Sequence, residues 1–196
     1  MPLSAPARSN PSDDLRTAAT ELFASAGYAG TSLQQIADAA GYSKSSVLYH
    51  FASKEAILDA ALGPAIDRLE AVLADVADLA GSAAQRTAFV ERFIDFLFEY
   101  RLEVHTFINQ GQSLTGVPVV ERANRTVAAL AESVSSDFES VEEQVRFGVA
   151  LGGAAYTLVA GTNFSDADLP VPEVRAALVT IVSDLLIPVR PRRAHR

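Results

Sequence analysis

The sequence predicts an all-α fold, with an N-terminal three-helix domain containing a helix-turn-helix and a larger helical body behind it. Three observations predict it: apolar residues recur at steps of three and four, no strand-length segment alternates apolar with polar, and glycines or capping hydroxyls punctuate the periodic runs. The 196 residues, 49% of them hydrophobic, suffice for a sizeable core. No apolar run reaches the roughly eighteen residues that a membrane span needs. No basic start followed by an apolar stretch marks a secretory signal, so a cytoplasmic protein without membrane contact is expected. The chain has no cysteine, which excludes disulfides, thiolate nucleophiles and cysteine zinc sites. His50, His105 and His195 are too scattered for a local metal motif. Neither a metal nor a cofactor is expected.

Residues 1–12, rich in Pro, Ser and Ala, have little to bury and read as a disordered arm. Leu15, Ala18, Ala19, Leu22, Phe23 and Ala26 then form one stripe of a helix that Gly27 ends. Thr31 or Ser32 opens the next, with Gln34 or Gln35 three residues on to complete a capping box, and Leu33, Ile36, Ala37 and Ala40 as its buried face. Gly41 closes it, Ser43 caps a third helix, and Leu48 and Phe51 bury one side of that helix. The other side carries Ser43, Lys44, Ser45, Ser46, Tyr49 and His50, all donors or cations suited to phosphates and base edges. Three short amphipathic helices with a tight Ala40-Gly41-Tyr42 turn make a helix-turn-helix pattern.

Ser53 caps a fourth helix, apolar at Ile57, Leu58, Ala61, Leu62, Ala65, Ile66, Leu69, Val72, Leu73 and Val76, with a kink expected at Gly63-Pro64. Gly81-Ser82 precedes a fifth helix over 84–103, apolar around most of its circumference and therefore central. Pro118 starts another, through Val120, Ala123, Val127, Leu130 and Val134. Two long segments, 139–161 and 172–187, close the chain ahead of a disordered basic tail, 189–196.

The net charge of −8 is unevenly placed: residues 1–60 carry −2, residues 61–189 carry −10, and the tail from Arg190 carries +4. A broad basic field is absent, so any DNA contact must use a small local face. The expected salt slope corresponds to on the order of four phosphate charges per dimer.

Residues 13–58 resemble the DNA-binding domain of the TetR family of bacterial transcriptional regulators. The resemblance rests on Ala19, Glu21-Leu22-Phe23, Gly27-Tyr28, Thr31-Ser32, Ile36-Ala37, Ala40-Gly41, Ser43-Lys44, Leu48-Tyr49-His50-Phe51 and Ser53-Lys54-Glu55 at the family's spacing. Ser45-Ser46 departs from the commoner Gly-Thr, and Ser12 stands where the family usually has Arg. The resemblance implies a ligand site in the helical body and dimerisation through the last two long helices, and the chain is read as a homodimeric repressor released from a near-palindromic operator by a small apolar effector. On this reading Thr31 or Ser32 holds a phosphate at a helix N-terminus, and Tyr49, His50 and Lys54 reach phosphates. Lys44, Ser45 and Ser46 read base edges, with Gln35 from the preceding helix.

Residues 59–188 are then the effector-binding and dimerisation domain. Phe93, Phe96, Tyr100 and Phe107, with His105 and Asn109 as polar partners, are candidate effector contacts, against ordinary core packing of the aromatics. Gly148, Gly152 and Ala155, with Val174, Leu178, Ile181 and Leu185, are candidate dimer contacts, against close packing inside one subunit. No nucleophile elbow or phosphate-cradling glycine loop appears, so no catalytic residue is assigned and an enzyme is not expected. A regulator without an effector is the rival reading, and a cavity of a few hundred cubic ångströms in the body would separate the two.

Overall fold

The computed structural model describes residues 10–75, 82–135, 140–160 and 170–186. The arm's residues 1–9, the tail, Val76 and Gly81, and the side chain of Val134 lie outside the described set. Among the described residues every regular element is helical: α1 (Pro11–Ala26), α2 (Leu33–Ala40), α3 (Lys44–His50), α4 (Lys54–Leu73), α5 (Ala83–Glu99), α6 (Arg101–Gln110), a 3-10 turn (Gly111–Leu114), α7 (Pro118–Ser135), α8 (Val141–Val159) and α9 (Val171–Leu185). None is long and apolar enough to cross a membrane.

Most boundaries follow from caps. Asn10 accepts from the Ser12 amide with Pro11 in the first turn, so α1 starts inside the stretch expected to be a disordered arm. Ser32 and Gln35 form a reciprocal capping box on α2, and Ser82 and Gln85 form another on α5. α4 runs as one helix through Gly63 and Pro64, although Pro64 supplies no amide to the ladder. The expected helix over 84–103 is divided at Tyr100 (φ −111°, ψ 34°). Hydrogen bonds from the Tyr100 amide to Phe96 and from the Val104 amide to Tyr100 bridge this break. With neither glycine nor proline at the junction, the sequence carries no local mark of it.

The chain forms two compact units, residues 1–64 with 105–121 and residues 65–104 with 122–196. The first is built on Leu15, Ala19, Phe23, Ile36, Val47, Ile57 and Leu58, all fully or almost fully buried. In the second, α5, α8 and α9 pack together around Phe89, Val90, Phe93, Ile94, Phe96 and Leu97. This matches the expectation of a central α5. The grouping of 105–121 with the N-terminal helices differs from a division at residue 58, and the Gln110 side chain joins the two stretches. Gln110 Nε2 donates to Phe23 O at 2.6 Å, while its Oε1 accepts from the Tyr28 amide at 2.7 Å. Gln110 thereby caps the end of α1, where helical carbonyls lack partners.

Candidate nucleic-acid interface

The turn between α2 and α3 is fixed by backbone. Gly41 adopts φ 76°, ψ 26°, and the Tyr42 amide reaches back to Ala37 O at 2.8 Å, a left-handed helix ending that favours glycine. Tyr42 Oη donates to Asp14 Oδ2 at 2.8 Å, tying the turn to α1. Ser43 then caps α3 by accepting from the Ser46 amide at 3.2 Å, and its hydroxyl lies 2.8 Å from that of Ser45. Val47 is fully buried and Phe51 nearly so, and these two anchor the helix. The expectation that Leu48 is an anchor is corrected, since it is 49% exposed. Val47 lies four residues before Phe51, and that spacing puts both on the inner face.

With α3 anchored in this way, Ser43, Lys44, Ser45, Tyr49 and His50 are exposed and Ser46 is half-buried. Tyr49 is 86% exposed, its ring edge-on to His50 at 5.2 Å between centroids. A large aromatic held outward on a short, rigidly mounted helix has no folding role to explain it. The hydroxyls and Lys44 beside it form a face of donors without a dense positive field.

Two sequence-predicted contacts make bonds within the protein. Thr31 is buried, and its Oγ1 donates to Gly27 O at 2.8 Å and Leu22 O at 3.3 Å, so its hydroxyl is spent inside the protein. That leaves Ser32, which is exposed and caps α2, as the hydroxyl at this helix start. Lys54 donates to Tyr28 O at 2.7 Å and Thr31 O at 2.9 Å, with its ammonium 4.2 Å from the Tyr28 ring centroid. It clamps the α1–α2 loop, which uses two of its three ammonium donors and leaves one for the phosphate contact expected of it. Burial, with Glu55 nearby as the lesser cause, pushes the Tyr28 hydroxyl above its ordinary pKa. Gln35 uses its Oε1 to accept from the Ser32 amide and hydroxyl, both at 2.8 Å. Only its amide nitrogen is left to meet a base.

In the second unit, Phe93 and Phe96 are buried in the core with ring centroids 6.3 Å apart, and Tyr100 stacks 5.6 Å from Phe96. Core packing therefore accounts for the first two of these effector candidates. His105, Phe107 and Asn109 belong to the other unit. Asn109 Nδ2 is used on His105 O, and His105 Nδ1 is buried with no hydrogen-bond partner among the described residues. A feature the sequence reading missed is a groove of about 610 Å³ between α4 and α7, lined by Glu70, Leu73, Arg122, Arg125, Thr126 and Leu130 among others. No local motif marks it, because it needs α4 and α7 side by side.

The end of the second unit carries an apolar face. Val141, Val145, Val149 and Tyr156 lie on one stripe of α8 and are each more than half exposed, as are Val171 and Ile181 on α9. Gly148 and Gly152 fall on the same α8 stripe, and a Cβ added at either meets nothing within 4 Å. Packing within the chain thus gives no reason for these glycines, each of which costs about 1 kcal/mol of helix stability relative to alanine. Leu178, expected on this face, is instead buried in the core, while Ala155, Val174 and Leu185 pack against its edge. The signal for the missed valines was legible: α8 has one apolar stripe at Phe147, Ala150, Leu151 and Ala154, and a second at 141, 145 and 149.

A glycine-turned helix pair with an outward donor face defines a helix-turn-helix DNA-binding protein. Comparisons with known proteins agree. Residues 15–61 match the family model described as "Bacterial regulatory proteins, tetR family". A 51-residue stretch is 47% identical to the HTH-type transcriptional regulator RutR of Escherichia coli (strain K12), spanning 26% of this chain and 24% of RutR. The match thus spans about a quarter of the length of this curated relative. The fold extends further. The ketosteroid transcriptional regulator KstR2 of Mycobacterium tuberculosis superposes with a TM-score of 0.68 at 18% identity, over 94% of this chain and 97% of KstR2. A TetR-family regulator from Bordetella parapertussis 12822 gives 0.69 at 22% identity, over 92% of this chain and 95% of the other. Residues 15–61 thus carry a DNA-binding domain of the TetR type, and the chain as a whole shares the fold of these two regulators.

Proposed function

We propose that this regulator is a homodimeric repressor that binds a near-palindromic operator through α3 and leaves it when a small molecule binds the helical body. The observation that carries the DNA half is the α3 face, with Tyr49 held outward over buried Val47 and Phe51. Lys44, Ser45 and Ser46 read base edges, with the Gln35 amide beside them, while Ser32, Tyr49 and His50 hold phosphates. The apolar α8–α9 face with its open glycines supports a second copy as its cover. Two-fold symmetry then gives two recognition helices for two half-sites about one helical turn apart.

The open groove between α4 and α7, with apolar Leu73, Ala129 and Leu130 beside polar groups, is the place in this body that suits a small molecule. An effector acts by binding better to a form whose recognition helices the operator does not accept. α4 and α6 both have residues in each unit, so they are the elements for the coupling, with Gln110 tying the end of α6 to α1. No step in this scheme uses a cofactor or a catalytic residue, and it places the protein with DNA in the cytoplasm.

Selection of bound fragments from random DNA tests the reading. A recovered site with inverted half-sites separated by roughly ten base pairs centre to centre supports it. Recovery of no preferred sequence, or of a single unrepeated half-site, contradicts it.

A further inference from the structure

The groove between α4 and α7 is chemically lopsided. Arg122 is already paired: it donates through Nε to Glu70 Oε1 at 3.1 Å and through Nη2 to Glu70 Oε2 and Asp67 Oδ1 at 2.5 and 2.6 Å. Thr126 Oγ1 donates to Glu70 Oε1 at 3.1 Å and so completes the cluster. Two carboxylates on one guanidinium leave this cluster with a net negative charge, which disfavours a further anion on it. Arg125 differs. It lines the same groove, one residue before Thr126, is exposed, and forms no ion pair among the described residues. Beyond these polar groups the lining turns apolar at Leu73, Ala129 and Leu130.

We infer that this groove takes an amphipathic monocarboxylate, its carboxylate on the Arg125 guanidinium and its hydrocarbon body against Leu73, Ala129 and Leu130. Arg125 is the lining cation with no direct partner among the described residues, and a planar guanidinium pairs a carboxylate through two parallel hydrogen bonds. An entirely apolar ligand would leave Arg125 without a partner and forgo that pairing. The assignment deepens the effector-responsive reading, on which it rests, and replaces the apolar effector expected from sequence with an anionic one.

The test uses the intact chain without DNA and decanoate as the probe, with decanol as its uncharged counterpart, both titrated calorimetrically below their aggregation limits. Saturable decanoate binding at one site per chain is expected, at least about tenfold tighter than decanol, the factor one charge-assisted hydrogen bond supplies. Arg125→Gln, an exposed helix substitution, is expected to abolish that difference, and Arg125→Lys to retain part of it. Absence of saturable decanoate binding, equal affinity for decanol, or an unchanged decanoate affinity in Arg125→Gln overturns the assignment. Operator selection by ligand-free protein is scored separately. Decanoate binding through Arg125 in a protein that selects no operator leaves the site standing and removes the regulatory reading. Operator binding by a protein that ignores decanoate does the reverse.

Discussion

Lys54 holds two carbonyls and an aromatic face at once, and its replacement separates a structural role from a DNA-binding one. Lys54→Met leaves Tyr28 O and Thr31 O without this donor and is expected to lower stability by about 1–3 kcal/mol. The salt slope of operator binding should stay as it is. Denaturant midpoints and a salt titration check the two halves, and a reduced slope with unchanged stability would make the phosphates the main partners of Lys54. Gln110 makes a parallel case. Gln110→Ala removes both bonds at the end of α1 and should cost about 1–2 kcal/mol, with faster hydrogen exchange at the Tyr28 amide. In sequence these residues look like surface donors, because a Lys after a helix cap or a Gln at a helix end carries no mark of the carbonyl it will meet. Thr31 misleads for the same reason: its partners, Leu22 O and Gly27 O, lie in the last part of α1 and at its cap.

Among the elements, α8 gives the clearest division between what one chain needs and what two need. In a monomer Gly152→Ala should stabilise α8 by about 1 kcal/mol, since an alanine Cβ there meets nothing. Across a dimer interface the same methyl group holds the two helices apart. Sedimentation equilibrium is therefore expected to show weaker association in Gly152→Ala while the helix itself is more stable to heat; tighter association would argue against a partner helix at this stripe. The α5–α9 contact makes a prediction about acid. Arg175 donates to both Asp95 oxygens, at 2.6 and 2.9 Å, and holds that carboxyl below its usual range. Arg122 does the same for Glu70 between α7 and α4. A carboxyl whose pKa is lower in the folded state contributes fully above the ordinary value near pH ~4 and loses that contribution as pH falls through the folded value. The melting temperature should hold from neutral pH to about pH 5 and fall below it, and Arg175→Gln should make the fall shallower. A wild-type melting temperature unchanged down to about pH 2 would deny both pairs a part in stability.

At the scale of the whole molecule, the acidic chain must find DNA through a small face. With Lys54 held on the α1–α2 loop, Lys44 is the exposed lysine of the α3 face, so the salt slope should correspond to on the order of two phosphate charges per dimer, below the four expected from sequence. A slope of about eight would bring in cations outside this face. The helical fold, the caps and the α2–α3 turn were legible because each is written in local spacing: Ser32 with Gln35, Gly41 before Ser43, Val47 before Phe51. The groove, the Gln110 tie and the Lys54 clamp were not, because each joins residues more than twenty positions apart. The central claim is that the outward face of α3 reads the operator, and Tyr49→Ala tests it most directly, since a residue 86% exposed can be truncated without disturbing the core. Operator affinity and sedimentation of this variant are to be measured side by side. The account predicts that operator binding is lost while the dimer persists; an operator affinity equal to that of the unaltered protein would contradict it.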